Sequence, residues 1–382
     1  MGKPLAQAVA EIHKSAAACR YYADEGPLLL KPHHPVGSPR GAEVVYEPLG
    51  TILGIMPWNF PYWQVFRSAA AALMAGNAVI IKHAPTVSGS ALALESLVRR
   101  AGAPAGLLTV LRVEPSRIPA LIADPRIAAV TLTGSTGAGR SVAAEAGRAL
   151  KRGIYELGGS DPYLILEDAD LEHAAETCAA SRLINAGQSC VSAKRFIVAS
   201  SVRGRFERLL VERMAARTLG DPSDPATDVG PLARKDLVRT LHRQVTESVA
   251  KGARILLGGH PPPGAGYFFP PTVLTNVSAG MPAFDEELFG PVAAVISAPS
   301  EAGAIALANA SPFGLGAAVF TRNLRTARRV AERLEAGTVS INDFVKSDPT
   351  LPFGGIKASG FGRELGAYGL REFLNIKTLR FL

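Results

Sequence analysis

The chain has 382 residues, of which 47% are hydrophobic and 19% are charged. Such a composition excludes a disordered chain, and the length allows two or three domains of about 150 residues each. Lys and Arg number 41 while Asp and Glu number 33, so the net charge is +8. The basic residues are spread along the chain, which slightly favours anionic small molecules and is only a weak argument for nucleic acid as a partner.

The cysteines and the apolar stretches indicate the compartment. Cys19, Cys178 and Cys190 are too sparse for a disulfide framework, which predicts a reducing environment. Residues 1–10 lack the features of a signal peptide, and the most apolar stretch, residues 69–81, is too short to span a bilayer. We therefore expect a cytoplasmic protein without a membrane partner. The 7 histidines lack metal-ligand spacing, so no metal site is predicted.

Segments with helix and strand spacing alternate along the chain. In the first half, helices are predicted over residues 1–25, 62–75, 87–101, 116–123 and 137–150, and strands over 51–56, 78–82, 107–111 and 128–133. In the second half, strands are predicted over 163–166, 196–199, 317–321 and 338–342, and helices over 171–184, 202–217, 237–251 and 322–336. This alternation predicts βαβ units, parallel sheets and an α/β fold.

Three features indicate helix ends, loops and termini outside this alternation. The pair Gly26-Pro27 is predicted to end the first helix. Residues 30–40 contain three prolines and are predicted to form a loop. Residues 375–382 form a strand-like tail without a partner of its own, which is typical of a segment that pairs with another subunit.

Cys190 lies in the string Gly187-Gln188-Ser189-Cys190, between a predicted helix and a predicted strand. A cysteine in a glycine-containing loop at such a junction is expected to be exposed. Its thiolate is then a strong nucleophile towards a carbonyl carbon. The alternative is a small buried hydrophobic residue, which is the usual role of a cysteine outside a disulfide.

Two further motifs follow predicted strands. Glu156-Leu157-Gly158-Gly159 places a carboxylate at a strand end, where it can act as a general base on water; the alternative is a surface Glu before a turn. Pro57-Trp58-Asn59-Phe60-Pro61 fixes the backbone around Asn59, whose amide can donate to a developing oxyanion. The alternative here is a proline-stiffened turn.

Two other features are compatible with a phosphate-containing ligand. Residues 133–139 are rich in glycine and join a strand to a helix, although they match neither the dinucleotide fingerprint nor a P-loop. Lys82 ends the predicted strand over 78–82, and strand ends of α/β sheets face ligands. The alternatives are an ordinary βα turn and a solvated lysine.

In this order and at these spacings, the motifs resemble the aldehyde dehydrogenase superfamily from the N-terminus to Leu382. The resemblance includes residues 286–291, residues 352–357 and Gly362-Arg363-Glu364 near the end of the chain. It implies a Rossmann-type cofactor domain, an α/β catalytic domain and a small oligomerisation element. The implied boundaries are 1–29 with 49–158 for the N-terminally shortened cofactor domain, 159–365 for the catalytic domain, and 30–48 with 366–382 for the oligomerisation element.

The resemblance also implies roles for the matching residues. Cys190 matches the nucleophile that forms a thiohemiacetal and then a thioester, Asn59 the oxyanion donor, and Glu156 the base that activates water for deacylation. The residues that match cofactor contacts are Trp58, Lys82, Gly134, Ser135, Glu287 and Phe289. These groups are expected to converge at the carboxyl-terminal ends of strands. NAD or NADP is the implied cofactor, and a homodimer or homotetramer acting on a small aldehyde is expected.

Within the superfamily, the chain resembles most the bacterial NAD(P)-using succinate-semialdehyde dehydrogenases. Arg67 lies eight residues after Asn59, where those enzymes have an Arg that binds the distal carboxylate of the substrate. The alternative for Arg67 is a surface salt bridge on the helix. Ser347, in a loop near the expected substrate mouth, is a second candidate for substrate contact.

Several positions depart from the family pattern. Ile184 replaces a second Arg, Ser68 replaces a relay Lys, and Ser192 replaces a second Cys that can form a redox disulfide. Pro85 replaces a Glu that binds the ribose 2′-hydroxyl in NAD-specific members, so nothing there repels the 2′-phosphate of NADP. The chain also begins late in the family pattern, and such a start is expected to expose apolar surface on the cofactor domain.

Three alternatives to a succinate-semialdehyde dehydrogenase stay open. The first is a broad-specificity aldehyde dehydrogenase in which Arg67 is structural. The second is a catalytically silent, truncated dinucleotide-binding protein. The third is a nucleic-acid binder, which rests only on the net charge because the sequence has no basic stripe with interleaved aromatic residues.

Overall fold

The structure, a computed structural model, describes residues 1–39 and 41–381. Arg40, in the predicted loop, and Leu382, at the end of the predicted tail, lie outside the described residues. The helices of the described part are α1 (Leu5–Leu29), α2 (Trp63–Met74), α3 (Ser88–Arg100), α4 (Ile118–Ala123), α5 (Thr136–Arg148), α6 (Leu171–Leu183), α7 (Arg203–Ala215), α8 (Lys235–Ala250), α9 (Pro282–Asp285), α10 (Glu301–Asn309), α11 (Leu324–Ala331) and α12 (Gly366–Arg371). The strands are β1 (Ala42–Pro48), β2 (Thr51–Met56), β3 (Ala78–His83), β4 (Leu108–Val110), β5 (Ile127–Thr133), β6 (Arg152–Glu156), β7 (Pro162–Ile165), β8 (Arg195–Ala199), β9 (Arg254–Leu257), β10 (Thr272–Thr275), β11 (Val292–Ala298), β12 (Phe313–Gly314), β13 (Gly316–Phe320), β14 (Thr338–Ile341), β15 (Ile356–Lys357), β16 (Gly360–Phe361) and β17 (Leu374–Arg380).

The chain divides into two compact units, each with its own large sheet. The six-stranded unit comprises Ala10–Leu157, Ser347–Gly354 and Gly360–Leu382. The seven-stranded unit comprises Met1–Val9, Gly158–Lys346 and Gly355–Ser359. The segments predicted as an oligomerisation element fall within the six-stranded unit, and their part in assembly stays a prediction.

The sheet of the six-stranded unit has the order β16-β6-β5-β2-β3-β4. Strands β6, β5, β2, β3 and β4 run parallel, and only β16 is antiparallel to its neighbour. The central strands are nearly continuous apolar runs, as expected where both faces of a parallel sheet are covered by helices. Ile52, Val65 and Val79 belong to one core cluster, while Leu53 and Val130 belong to another. The predicted α/β arrangement is confirmed here.

The sheet of the seven-stranded unit has the order β14-β13-β7-β8-β11-β10-β9. All neighbours are parallel except β9, which is antiparallel to β10. Its core includes Tyr163, Phe196 and Val295, which are fully buried. This second α/β layer also agrees with the prediction, although β9, β10 and β11 are not among the predicted strands.

The predicted end of the first helix at Gly26-Pro27 is wrong. Helix α1 continues to Leu29, and the amide of Leu30 donates a hydrogen bond to the carbonyl of Gly26. Gly26 is buried, and a Cβ on it would collide with the side chain of Met74. The glycine therefore leaves room for the side chain of Met74 and does not end the helix.

The prediction that the C-terminal tail has no partner of its own is also wrong. Strand β17 pairs antiparallel with β1 over seven residue pairs, from Ala42 opposite Arg380 to Pro48 opposite Leu374. The ladder satisfies backbone groups that an isolated strand would leave to solvent or to another chain. Within residues 1–39 and 41–381, no helix combines the length and hydropathy needed to cross a membrane.

Candidate active site

Six of the predicted site residues lie at one edge of the six-stranded sheet. They are Trp58 and Asn59 after β2, Lys82 near the end of β3, Gly134 and Ser135 after β5, and Glu156 at the end of β6. Because these four strands are parallel, their carboxyl ends share an edge. This is the edge at which α/β sheets bind ligands, and the predicted convergence therefore holds within this unit.

Glu156 is held by Arg67 at this edge. The Arg67 Nη2 donates hydrogen bonds to Glu156 Oε2 and to Thr133 Oγ1, both at 2.9 Å. The Arg67 Nε forms an ion pair with Glu364, and the guanidinium lies 5.1 Å from the ring centroid of Phe353. Both side chains of the Arg67–Glu156 pair are 2% exposed. Neither the surface Glu nor the surface salt bridge considered from the sequence is therefore present.

The predicted role of Arg67 in binding a substrate carboxylate stays a prediction. Its guanidinium is shared by two carboxylates of the chain itself, which the sequence did not reveal. Ser347, the second substrate candidate, is buried, and its Oγ accepts a hydrogen bond from Lys14 Nζ at 2.8 Å. Both candidates thus have partners within the six-stranded unit.

Glu364 and Glu156 share the guanidinium of Arg67, and this arrangement affects the pKa of Glu364. Burial raises the pKa of Glu364 to about 7, and the nearby Glu156 acts in the same direction, while Arg67 opposes both. A proton on Glu364 reduces the repulsion between two buried carboxylates around one cation. Glu364 belongs to the resemblance string Gly362-Arg363-Glu364, but the string by itself gave it no role.

Glu364→Gln is expected to change the pH dependence of stability. The folded state binds this proton more tightly than the unfolded chain, so the stability that Glu364 contributes is present at acid pH and is lost as the pH rises through about 7. The free energy of unfolding of the variant, relative to wild type, should therefore increase between pH 5 and 8. Urea unfolding across this range measures it, with the exposed Glu332→Gln as the control. A difference that stays constant with pH would contradict the expectation.

Lys82 and a small cavity lie at the carboxyl end of β3. The side chain of Lys82 is 8% exposed, and burial lowers its pKa while Glu114 partly offsets the shift. A cavity of about 170 Å³ is lined by His83, Pro85, Ser88, Ala91 and residues 110–114. Lys82 is therefore not the solvated lysine of the alternative interpretation.

Gly134 and Ser135 form the turn between β5 and α5. The amide of Gly134 donates to the carbonyl of Glu156 at 3.0 Å, which ties this turn to the end of β6. Ser135 is the N-cap of α5, and its side chain accepts from the amide of Ala138 at 3.3 Å. The exposed amides of this helix N-terminus are suited to an anionic group.

The seven-stranded unit contains Cys190, Glu287 and Phe289. The prediction that these residues lie at the carboxyl ends of strands is wrong. Cys190 precedes β8 and Glu287 precedes β11, so both lie at the amino-terminal edge of the sheet rather than at its carboxyl edge. The rule for carboxyl edges describes a ligand that sits on the strand ends of one sheet. It does not govern a residue in a loop that leads into a strand.

The predicted exposure of Cys190 is also wrong, because the residue is 8% exposed. The loop before it is tightly wound. Asn185 and Ala186 both have φ of 54°, and Gly187 has φ of 73°, so three successive residues adopt the left-handed region. Such strain in two residues with a Cβ persists only where the surroundings fix it, and it is common at functional sites.

Arg182 is one of the groups that fix this loop. Its Nη2 donates to the carbonyl of Gly187 at 2.6 Å, and the side chain is fully buried. Burial lowers the pKa of Arg182 to about 9, against the influence of Glu287 and Asp161. The loop that carries the thiol is therefore hydrogen-bonded to a buried cation.

The glycine pair 158–159 gives Glu287 and Cys190 the space they occupy. The amide of Gly159 donates to Glu287 Oε1 at 2.9 Å. A Cβ at position 158 would lie 2.7 Å from Glu287 Oε2, and one at position 159 would lie 2.6 Å from the carbonyl oxygen of Cys190. Position 159 thus requires glycine because a backbone atom lies in the way, whereas a Cβ at position 158 would displace the carboxylate of Glu287. Phe289, two residues after Glu287, is half-buried.

The model of the aldehyde dehydrogenase family matches residues 1–379. The chain belongs to the aldehyde dehydrogenase family. The resemblance inferred from the motifs is therefore confirmed, together with the expected fold and the aldehyde oxidoreductase class.

Individual relatives match nearly the whole chain. Succinate semialdehyde dehydrogenase [NAD(P)+] Sad of Escherichia coli (strain K12) is 49% identical over 379 residues, covering 99% of this chain and 82% of that protein. Succinate-semialdehyde dehydrogenase [NADP(+)] 1 of Mycobacterium ulcerans (strain Agy99) is 48% identical over 382 residues, covering 99% and 83%. The crystal structure of succinic semialdehyde dehydrogenase from Streptococcus pyogenes with NADP+ superposes with a TM-score of 0.97 at 38% identity, covering 99% and 83%. These names agree with the predicted cofactor class.

Proposed function

We propose that the chain oxidises succinate semialdehyde to succinate with NAD or NADP. The observation that carries the proposal is the buried Glu156, fixed by Arg67 at the same strand edge as Asn59. It lies in a chain that is 48% and 49% identical to two enzymes named for this substrate. Burial of a carboxylate costs free energy, and such buried charged groups are concentrated at functional sites.

Cys190 is the proposed nucleophile. Its sulfur attacks the aldehyde carbon to give a thiohemiacetal, and the side-chain amide of Asn59 donates to the developing oxyanion. Loss of the hydride from that carbon leaves a thioester. Glu156 then takes a proton from water, the resulting hydroxide attacks the thioester carbon, and the carboxylic acid departs as the thiol re-forms.

The residues present fit a nicotinamide dinucleotide. Those proposed to hold it are Trp58, Lys82, Gly134, Ser135, Glu287 and Phe289. When bound, the cofactor supplies the hydride acceptor. The turn at Gly134 and Ser135 offers helix amides to its phosphates. The cavity next to His83 is lined by Pro85, Ser88 and Arg112, and also by the carboxylate of Glu114.

Pro85→Glu is expected to shift the cofactor preference from NADP towards NAD. A carboxylate there can accept from the ribose 2′-hydroxyl of NAD and repels the 2′-phosphate of NADP. We expect the ratio of kcat/KM for NADP to that for NAD to fall about tenfold or more, since like charges in contact cost over 1 kcal/mol. Pro85→Gln, which adds the same length without the charge, is the matched control. An equal ratio in the two variants would show that position 85 does not face the 2′-group.

The substrate is tested by comparing succinate semialdehyde with butanal, which lacks the distal carboxylate. NAD(P)H formation is followed at saturating cofactor for both aldehydes. A much higher kcat/KM for succinate semialdehyde supports the proposal. Equal kcat/KM for the two aldehydes supports a broad-specificity aldehyde dehydrogenase. Binding of the nucleotide without turnover supports a catalytically silent dinucleotide-binding protein. Assembly as a homodimer or homotetramer and a cytoplasmic location stay predictions.

A further inference from the structure

Lys194 is a fully buried cation beneath the loop that carries Cys190. Its ammonium donates hydrogen bonds to the carbonyl oxygens of Cys190 at 2.8 Å, Ser189 at 3.1 Å and Ser192 at 3.2 Å. An ammonium has three donors, and these three carbonyls use all of them. Lys194 therefore fixes the backbone on both sides of the thiol.

Two carboxyl groups, those of Glu287 and Asp161, face the buried charge of Lys194. Glu287 Oε1 lies 3.8 Å from its Nζ, and Asp161 is the other carboxyl group that faces it. The pKa of Asp161 is raised to about 7 by burial, and Arg182 adds a second buried cation. Burial of an ammonium is expensive unless its charge is compensated, so this cluster accommodates an additional negative charge.

A thiolate at Cys190 supplies such a charge next to Lys194, whose Nζ lies 2.8 Å from the carbonyl oxygen of the same cysteine. Cys190 is among the groups that raise the pKa of Lys194, against the larger lowering by burial. The interaction between two ionisable groups is reciprocal. If a thiolate at Cys190 stabilises the ammonium of Lys194, that ammonium stabilises the thiolate to the same extent. Titratable groups that also face Lys194 are Arg182, Asp161 and Glu287.

We propose that Lys194 is a positioning residue for Cys190, whose buried ammonium both holds the nucleophile loop and keeps the thiol in its reactive, ionised form. This inference rests on the proposed function of Cys190 as the nucleophile. It adds a residue that no sequence motif indicated, because a single lysine before a strand has no distinguishing pattern. The role is one of support, because the lysine bonds the backbone of the loop rather than the substrate.

Two variants separate charge from hydrogen bonding. Lys194→Gln keeps an amide donor for the carbonyls but removes the charge, and Lys194→Met removes both. Lys357→Gln is the matched control, because Lys357 Nζ also donates to two backbone carbonyls of the same unit, those of Asn309 at 3.0 Å and Ser311 at 3.2 Å. Exposed Cys19 and buried Cys178 serve as internal references within every sample.

The measurement is the rate of alkylation of each cysteine by iodoacetamide as a function of pH, read by peptide mass spectrometry, alongside the acid limb of kcat/KM. In Lys194→Gln and Lys194→Met, we expect the pH at which the alkylation rate of Cys190 is half-maximal to rise. Alkylation at pH 7 should slow about tenfold for each pH unit by which the midpoint rises. The acid limb of kcat/KM should move with it. Cys19 should keep its wild-type profile in all variants, as should Cys190 in Lys357→Gln.

An unchanged Cys190 profile and acid limb in Lys194→Gln overturn the proposal, even when the melting temperature falls, because a purely structural lysine gives that result. Should Lys194→Met fail to fold, Lys194→Gln alone decides. If Cys190 of the wild-type enzyme is not alkylated, the acid limb of the pH profile of kcat/KM decides between the two outcomes. Failure of the proposed function gives a different result, because the wild-type enzyme then does not turn over the aldehyde. The alkylation profiles of Cys190 still measure the effect of Lys194 in that case.

Discussion

Replacing Cys190 with alanine is expected to reduce the formation of NAD(P)H from succinate semialdehyde by about 10⁴-fold or more, as removal of a covalent nucleophile does in other enzymes. The loss follows because residues 184–194, which form the loop, contain no second cysteine that could carry the thioester. Binding of the cofactor should be retained, since the residues proposed to hold it are unchanged. Steady-state absorbance at 340 nm and a cofactor titration together measure the two properties.

The control for this variant is Cys178→Ala. Cys178 lies in α6 of the same unit, is fully buried, and its thiol pKa is raised well above the usual value by burial. It is therefore an inert thiol, and its removal should leave turnover near the wild-type level. Turnover that survives in Cys190→Ala would remove the thiol from the proposed reaction and would favour a different nucleophile.

Arg67→Leu is expected to have the largest effect on stability. The substitution leaves Glu156 and Glu364 buried without their shared cation, and breaking such a buried pair costs about 3–5 kcal/mol. The kcat for both succinate semialdehyde and butanal should fall, because Glu156 loses the group that fixes its carboxylate. Urea unfolding and steady-state kinetics measure the two effects.

Two companion variants make this prediction specific. Arg67→Leu combined with Glu364→Gln removes one of the stranded charges and should recover part of the lost stability. Arg67→Lys keeps the charge but loses the planar guanidinium that serves two carboxylates at once, so it should fold yet remain slow. A loss confined to succinate semialdehyde in these variants would instead assign the guanidinium to the substrate carboxylate.

Much of the fold could be predicted because it depends on local pattern. The strands at 51–56 and 78–82 are apolar runs, one followed by Asn59 and the other ending in Lys82, and the structure has β2 and β3 there. Strand β11 was missed although Val292–Ala298 is almost entirely apolar, so its signal was present in the sequence. The helix stop at Gly26-Pro27 failed because a glycine can serve packing as well as termination, and only the position of Met74 distinguishes the two.

The site was harder to predict where partners are distant in the chain. Glu156 could be singled out from its motif, but its bond to Arg67 joins residues 89 positions apart. Lys194 lies only four positions after Cys190, yet its function depends on burial, which periodicity does not give for a single lysine. The edge on which Cys190 lies was mispredicted because a loop that leads into a strand was interpreted by the rule for loops that leave one.

The central claim is that the aldehyde carbon is carried on Cys190 and released by Glu156, and trapping the thioester tests it most directly. Glu156→Gln is the variant to use, because Arg67 keeps Glu364 as its counter-ion. After mixing with succinate semialdehyde and NADP, we expect one equivalent of NADPH per active site, then a stall, with a succinyl group on the peptide that contains Cys190. Continued turnover at the wild-type rate, or a succinyl group on any other residue, would contradict the account.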